Sequence, residues 1–327
     1  MLTNQISSIG LTVLATVACA GLHAQDLSAN PDKFPSKPIR WIVAGPPGGS
    51  PDVVARIIGQ HLGERLKQPV IIDNRAGAFG NIGMEAAARA VPDGHTILLG
   101  IPTVVINPVL YKLTFDPLSE LTAVTQLTTV TFVLLANPNF TPSTVNDLLA
   151  AAKAKPGTVT CGWGGPLPQL ACELLKIEGH VDINSIPYKG NAPAMKDLIG
   201  GEINLLFDVP NVVLAQVKAN RVRAIATTNA KRGTGPFGHL PTINESLSGF
   251  EFEGWQGVLA PARTPREIVA RLNHEVAAVL ESSEVRKRLA DGGLDVAHGS
   301  PEAFAEIIRR DHAKYSKIIS DAGIKAE

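Results

Sequence analysis

The sequence predicts an α/β protein with two lobes, each built from a sheet with helical crossovers, and three observations indicate this fold class. The 327 residues are enough for two domains at about 100 to 200 residues each. From Pro38 onwards, short runs of β-branched residues alternate with longer helical patterns, which is typical of parallel strands joined by helices. No internal repeat, low-complexity tract or heptad run interrupts this alternation.

The first part of the chain predicts three strands and two helices. The strands are predicted at residues 39–44, 70–73 and 96–100, and each ends in a loop rich in Gly, Pro or Asn. The first helix begins with Ser50 as its N-cap and Pro51 at its first position. A second helix is predicted over 81–90, because its apolar residues share one face.

The middle of the chain predicts a second α/β unit. Its strands are predicted at 131–136, 158–161, 186–188, 203–207 and 222–227, and its helices at 144–155, after Pro168, from Asn191 and at 212–219. A strand at 254–260 then returns to the first unit. Helices at 265–280, at 283–290 and from Pro301 complete it, and Thr264 is expected to open a capping box for the first of these.

This order of elements predicts a discontinuous lobe wrapped around a continuous one. The first lobe is expected to comprise 25–129 and 252–327, and the second lobe 130–251. The two strands that connect the lobes, near 124–136 and 254–260, are expected to act as hinges.

Residues 1–24 are predicted to be a signal peptide. The apolar stretch from Ile9 to Leu22 has the length of a signal-peptide core and is shorter than the roughly 20 residues that span a membrane. Cleavage is expected near Ala20 or Ala24, which would leave the mature protein in the periplasm. Residues 1–8 carry no Lys or Arg, which departs from the usual pattern, and lipidation of Cys19 is the alternative interpretation.

Composition excludes several classes of protein. The 30 basic residues balance the 30 acidic ones, so no general attraction for nucleic acid is predicted. The histidines show no metal-binding spacing, and neither a Gly-x-Ser-x-Gly elbow nor a P-loop occurs, so we predict no cofactor, no metal and no enzymatic activity. For Cys161 and Cys172 we expect two buried free thiols, with a single bridge in an oxidising compartment as the alternative.

The loop between the first strand and the first helix is the strongest candidate for ligand binding. It contains Pro47, Gly48, Gly49 and Ser50, followed by Asp52 in the helix. A helix start leaves backbone N–H groups unpaired and carries a partial positive charge, so it can hold a carboxylate without Lys or Arg. Asp52 is expected to orient this loop, because a carboxylate repels an anionic ligand.

Two more loops lie at equivalent places after the next strands. The second contains Ala78, Phe79, Gly80 and Asn81, and the third leads to Thr103. Open α/β sheets bind ligands at the carboxyl ends of their strands, so the three loops together predict one site. The alternative is that such glycine-rich turns serve only to reverse the chain.

Five segments, in this order and spacing, resemble the Bug (TctC-like) extracytoplasmic solute receptors of tripartite tricarboxylate transporters. The segments are PSKPIRWIVAGPPGGSPDVVAR, QPVIIDNRAGAFGNIG, PDGHTILLG, PYKGNAPAMKDLIGGEINLLFD and RVRAIATTNAKR, and the resemblance covers about residues 34 to 325. It implies a type II periplasmic-binding-protein fold whose first two loops hold ligand carboxylates through backbone amides and waters. It also implies a periplasmic receptor that delivers a small organic carboxylate to membrane transporter subunits. A module that senses a ligand for a membrane kinase is the alternative, and a hydrolase is a minor one.

Departures from the family pattern bear on the ligand. Pro51 replaces a threonine, Phe79 adds an apolar wall before Gly80, and the second-lobe loop with Trp163 and Gly164 lacks Ser and Thr hydroxyls. We therefore hypothesise a monocarboxylate with an aromatic or aliphatic body that packs on Phe79 and Trp163. The alternative for Trp163 is a core or hinge aromatic.

Tyr188 and Asp208 match family motif positions near the cleft and are candidates for binding the polar end of the ligand. The alternatives are a packed strand residue for Tyr188 and a helix cap for Asp208. We expect a monomer, because a receptor of this kind must dock on a transporter.

Overall fold

The first of two mixed sheets contains the first four strands and the last two strands of the described residues. The computed structural model describes residues 34–233 and 235–324. The strands of this sheet are β1 (Ile39–Val43), β2 (Val70–Asn74), β3 (Thr96–Gly100), β4 (Leu121–Thr131), β10 (Glu253–Pro261) and β11 (Asp295–Val296). Their order is β11-β4-β10-β3-β1-β2. The first three strands are parallel, whereas β10 is antiparallel to both of its neighbours.

The second sheet is formed by the middle of the chain. Its strands are β5 (Val133–Ala136), β6 (Val159–Trp163), β7 (Ile183–Pro187), β8 (Leu205–Asp208) and β9 (Arg223–Thr227), in the order β7-β6-β8-β5-β9. Strands β6, β7 and β8 are parallel, and β5 is antiparallel to β8 and β9. The prediction of parallel strands is thus right for the strands with crossover helices and wrong for β5 and β10. These two enter their sheets directly from the other lobe and so run in the opposite direction.

Most predicted helices are present, with shifted ends. The helices are α1 (Ser50–Leu66), α2 (Asn81–Ala88), α3 (Thr103–Leu110), α4 (Pro117–Glu120), α5 (Val145–Ala154), α6 (Pro166–Gly179), α7 (Asn191–Gly200), α8 (Pro210–Lys218), α9 (Arg266–Leu280), α10 (Ser283–Asp291) and α11 (Pro301–Asp321). The capping box at Thr264 does not form, because Thr264 N donates to Pro261 O in a turn and Pro265 takes the N-cap position of α9. Helix α3 was not predicted, since Pro102 precedes it and Pro108 lies inside it.

Two neighbouring chain segments connect the sheets. Phe132 lies between β4 and β5, and its amide donates to Thr228 Oγ1 at 2.9 Å. Thr228 N donates in turn to Phe132 O, and Phe252 N donates to Thr228 O, both at 3.0 Å. The two segments that connect the sheets are therefore joined by hydrogen bonds at one hinge. They lie next to the lobe boundaries at 129/130 and 251/252, which stay a prediction.

The two lobes share one apolar core. One buried cluster contains Val105 and Ile106 of α3, Leu170 of α6, and Tyr315 and Ile318 of α11. Helix α11 therefore packs on elements of both lobes. This core therefore contains side chains of both lobes.

Two polar contacts fix α11 against the strand that returns through the hinge. Trp255 Nε1 donates to Asp311 Oδ2 at 3.0 Å, and Tyr315 OH donates to Glu253 O at 2.9 Å. The rings of Trp255 and Phe304 also meet edge to face, with centroids 5.0 Å apart. The last helix is thus held by specific polar contacts as well as by apolar packing.

The cysteine prediction needs correction. Cys161 of β6 and Cys172 of α6 form a disulfide with their Cα atoms 6.3 Å apart, so the expectation of two free thiols is wrong. Helix α6 folds back onto the strand it follows and brings the two residues together, which sequence separation could not reveal. The bond closes a ring that includes the loop around Trp163 and Gly164.

Two further expectations concern membranes. The predicted signal peptide, residues 1–24 with its cleavage sites at Ala20 and Ala24, and the alternative lipidation at Cys19 lie outside the described residues. Within the described ranges, no helix has both the length and the apolar character that crossing a bilayer would require.

We expect Asp311→Ala to lower the free energy of unfolding by about 1 to 3 kcal/mol, because the buried Trp255 N–H loses its acceptor. Urea denaturation measures the loss. Asp321→Ala, at an exposed carboxylate of the same helix that pairs with Lys317, is the matched control and should change stability by less than about 1 kcal/mol. Equal losses in the two variants would contradict the role of this contact.

Candidate ligand-binding site

The loops after β1, β2 and β3 meet at one edge of the first sheet. A Cβ atom built on Gly80 in the second loop would lie 3.2 Å from Ala44 O in the first loop. It would also lie 3.8 Å from Thr103 Oγ1, at the start of α3. The three loops that the sequence singled out therefore converge, as the carboxyl ends of adjacent strands should.

The first loop is held by the helix that follows it. Gly48, at φ 81°, donates its amide to Asp52 Oδ2 at 2.9 Å, and Arg56 Nε donates to the same oxygen at 3.0 Å. Burial opposes ionisation of Asp52, but the hydrogen bonds from Arg56 and Gly48 outweigh it and lower the pKa of Asp52. Asp52 therefore orients the loop. The expectation that Gly48 offers a free donor needs correction, since Asp52 already accepts from it.

The remaining donors of the first loop lie nearer to α1. Gly49 N makes only a long contact of 3.4 Å with Pro46 O, and Pro47 is exposed beside it. Ser50 N has no protein acceptor among the described residues. Because α1 is 17 residues long, this amide also carries the positive end of the helix dipole.

The side chain of Ser50 is fixed by a residue that sequence reasoning missed. Gln256 of β10 is 2% exposed, and its Nε2 donates to Ser50 Oγ at 2.8 Å. The hydroxyl proton of Ser50 is thereby left free to donate elsewhere. The signal in the sequence was one amide inside the apolar run of β10, because a buried polar side chain needs a partner.

The second loop has an unusual backbone. Gly77, Ala78, Phe79 and Gly80 have φ values of 124°, 46°, 51° and 96°, so four successive residues have positive φ. For Ala78 and Phe79 this conformation costs on the order of 1 kcal/mol each. Gly80 N donates to Gly77 O at 2.9 Å, but within the described ranges the amides of Ala78 and Phe79 have no protein acceptor. The loop thus presents two adjacent free donors.

A buried asparagine in α3 supports this loop. Asn107 is fully buried, and its Nδ2 donates to Phe79 O at 3.1 Å and to Asn81 Oδ1 at 2.7 Å. The ring of Phe79 stacks on Tyr111, with centroids 5.7 Å apart and planes 10° apart. Phe79 remains 43% exposed. Sequence reasoning missed Asn107 because α3 itself was not predicted.

The second-lobe loop is held equally closely. Gly164 N donates to Asn191 Oδ1 at 2.9 Å, and Asn191 Nδ2 donates to Phe207 O at 3.1 Å. A Cβ atom on Gly164 would lie 1.9 Å from the carbonyl carbon of Gly190. Only glycine therefore fits at position 164, and Asn191 is a supporting residue that sequence reasoning did not identify.

The second-lobe loop around Trp163 and Gly164 offers few hydrogen-bond donors. Pro166 and Pro168 lack N–H groups, so the first turn of α6 offers the amides of Gly165 and Leu167, which have no acceptor in the part of the chain described here. Trp163 is half-buried, and its Nε1 atom is buried without an acceptor in the same residues. The loop is thus less bare of donors than its sequence suggested, because the amides of Gly165 and Leu167 are unpaired, whereas the unpaired indole N–H is buried.

Tyr188 and Asp208 bond within the second lobe. Tyr188 OH donates to Asp197 Oδ2 at 2.8 Å, and burial together with this carboxylate raises the pKa of Tyr188 to about 12. Asp208 is buried, accepts from Val209 N at 2.8 Å, and has its pKa raised to about 6 by that burial. Their roles as ligand contacts stay a prediction.

Comparisons with known proteins agree on one family. The family described as "Tripartite tricarboxylate transporter family receptor" matches residues 54–324. A Pseudomonas sp. (strain P51) protein, named for the tcbD-tcbE intergenic region, is 34% identical over 320 residues, which cover 96% of this chain and 95% of that protein. An R. palustris structure with adipate has a TM-score of 0.84 at 33% identity, covering 90% of this chain and all of that one. MatC from Rhodopseudomonas palustris, with bound malate, has a TM-score of 0.76 at 28% identity, covering 88% of this chain and all of that one.

We expect Gly164→Ala to destabilise the protein by about 1 to 3 kcal/mol, since the added methyl group overlaps the backbone at Gly190. Gly165→Ala is the matched control, because a Cβ atom there meets nothing within 4 Å and its backbone is extended. Urea denaturation of both variants compares them. Equal free energies of unfolding for the two variants would show that the loop accommodates the added methyl group without loss of stability.

Asp208 should make stability depend on pH. Its pKa in the folded protein is about 6, above the value of about 3.9 in an unfolded chain. The folded state therefore binds a proton more tightly, and stability should fall as pH rises from about 4 to about 6, by on the order of 2 kcal/mol. Asp208→Asn should flatten this slope in urea titrations across that range. An unchanged slope in the variant would refute the assignment.

Proposed function

The chain belongs to the tripartite tricarboxylate transporter receptor family, and on that premise we propose that it captures a small organic carboxylate and delivers it to membrane transporter subunits. Proteins of this family are periplasmic solute-binding receptors and not enzymes. The predicted type II periplasmic-binding-protein fold, with two α/β lobes around a cleft, is confirmed by the match to such structures.

One observation carries the proposal: three amides without protein acceptors among the described residues occur at adjoining loops. They belong to Ser50, Ala78 and Phe79. The strained backbone at Ala78 and Phe79 is consistent with a functional clamp, because such conformations persist mainly where the surroundings enforce them. Uncharged donors beside a helix start suit a carboxylate, which they bind without a buried counter-charge.

We further propose that the body of the ligand is apolar. Phe79 has one ring face against Tyr111 and is partly exposed, and Trp163 of the other lobe is half-buried. The two prolines at the start of α6 limit the donors available to a second charged group. These features favour an aromatic or branched monocarboxylate.

A dicarboxylate is the second candidate. The unpaired N–H of Trp163 favours it, because a buried donor gains from an acceptor on the ligand. Two solved structures that are similar in fold carry adipate and malate. The two candidates differ only in what lies opposite the carboxylate.

Export and partners complete the proposal. Residues 1–24 would direct secretion, with cleavage near Ala20 or Ala24, and the mature chain would act in the periplasm as a monomer. A ligand that touches both lobes would stabilise the closed arrangement, which the transporter would then recognise. A membrane kinase in place of the transporter remains the alternative partner.

Native mass spectrometry of gently purified protein should reveal a retained solute, and calorimetry should then rank ligands. We expect benzoate or isovalerate to bind and the neutral analogue benzamide to bind at least about 100-fold more weakly, because the amide lacks the charge that the loops complement. Tight citrate or adipate binding without any monocarboxylate binding would overturn the monocarboxylate proposal. Failure of every carboxylate would overturn the receptor proposal.

Variants of the two aromatic residues should separate the candidates. Phe79→Ala should weaken binding of benzoate more than binding of adipate, because it removes an apolar wall. Trp163→Phe keeps the ring and removes the N–H, so it should raise the Kd of adipate by about tenfold and leave that of benzoate nearly unchanged. Calorimetry measures both, and urea denaturation verifies that each variant is folded. Equal effects on both ligands would contradict these assigned contacts.

A further inference from the structure

A groove of about 980 Å³ lies apart from the ligand loops. It runs between α8, the start of β9, the segment 235–240 and the C-terminal end of α10. Arg223, in its wall, pairs with Ala136, whereas the hinge-side end of β5 at Val133 pairs with Thr227. The groove therefore extends along β9 away from the hinge, and its lining includes none of the residues of the candidate ligand site.

The floor of the groove is apolar. Leu214 and Val217 of α8, Val222, Phe237 and Leu240 line it. Several of these side chains belong to or pack against the same apolar cluster of the second lobe, so the floor is firmly supported. A partly exposed surface of this kind can accept apolar side chains of a partner.

Its rim is positively charged. Residues 209–244 contain no Asp or Glu but include Lys218, Arg221, Arg223, Lys231 and Arg232, of which Arg232 pairs with Glu245 just after this range. Lys218 and Arg223 line the groove. Neither has a carboxylate partner among the residues that the structure describes. This rim favours an anionic occupant.

The polar contacts of Arg223 and Asp291 leave the groove with more positive than negative charge. Arg223 Nη2 donates to Phe140 O at 2.6 Å. Because this acceptor is an uncharged carbonyl, no negative charge compensates the guanidinium. Arg223 Nε is buried without an acceptor in the described ranges. Asp291, the acidic residue among those that line the groove, pairs with Lys287 at 2.7 Å. The groove therefore has a surplus of positive charge.

One side of the groove is the edge of a sheet. Strand β9 is last in the order β7-β6-β8-β5-β9, so it has a neighbouring strand only in β5. At its C-terminal end Thr227 bridges to Thr242, and Thr227 N donates to Pro241 O. Ile225 and Ala226 are buried, so the accessible part of this edge is limited to Arg223 and Ala224, which are half-buried and line the groove.

We propose that this groove docks an extended, acidic segment of a partner protein that also carries apolar side chains. The segment places its carboxylates against Lys218 and Arg223 and buries its apolar side chains on the floor. A flat anionic membrane fits less well, because the apolar floor lies inside a groove. This docking does not depend on which solute the receptor binds.

The test uses the mature protein and three fluorescein-labelled ten-residue peptides. The first alternates Glu with Leu or Val, the second replaces each Glu by Lys, and the third replaces each Leu or Val by Ser. Fluorescence anisotropy should give the first peptide the lowest Kd by at least about fivefold. Hydrogen exchange should show added protection with that peptide at residues 218–224, in the wall of the groove.

Lys218→Glu should raise the Kd of the first peptide by at least about fivefold, because it reverses a charge at the rim. Lys153→Glu, at an exposed lysine of α5 that forms no ion pair in the described residues, is the matched control and should change it by less than about twofold. Equal effects of the two variants, or equal binding of the first and third peptides, would reduce the interaction to general attraction and overturn the proposal. Binding to phosphatidylglycerol vesicles that depends on Lys218, without peptide binding, would also overturn it.

Discussion

The left-handed turn at residues 77–80 is the constraint on which the candidate site depends. No Lys or Arg is buried among the described residues, so main-chain N–H groups turned away from their usual partners are the donors best placed to hold an anion. At Ala78 and Phe79 the backbone does this by adopting a conformation that side chains disfavour. The rest of the local structure is organised to keep that turn from relaxing.

Three contacts enforce the turn. Asn107 bonds to the carbonyl of Phe79 and to the side chain of Asn81, which begins the next helix. Gly80 fits closely against the backbone at Ala44, so the loops after β1 and β2 pack directly against each other. The free-energy cost of the positive φ values in the second loop is therefore offset by the packing of that loop against the first and third loops. The first loop uses a different device, in which Asp52 accepts the amide of Gly48 and leaves that of Ser50 free.

The sequence predicted most strands, most helices and the loops that converge, because glycine positions and hydrophobic periodicity are local signals. It could not predict the contacts between distant residues. The bond between Gln256 and Ser50 joins β10 to the start of α1, which are far apart in sequence, and the disulfide depends on how α6 folds back onto β6. Helix α3 was hidden by its own prolines, and with it the role of Asn107. The direction of β5 and β10 follows from the hinge crossings and not from their residues.

The apolar seam formed by α3, α6 and α11 has a consequence for how the molecule moves. Since one buried cluster includes side chains from both lobes and from the last helix, the lobes cannot separate without exposing part of that core to water. Any rotation between the lobes should therefore keep this seam packed. For the same reason the halves share their stability, so that loosening the packing of Tyr315 weakens both at once and the protein should melt as one cooperative body.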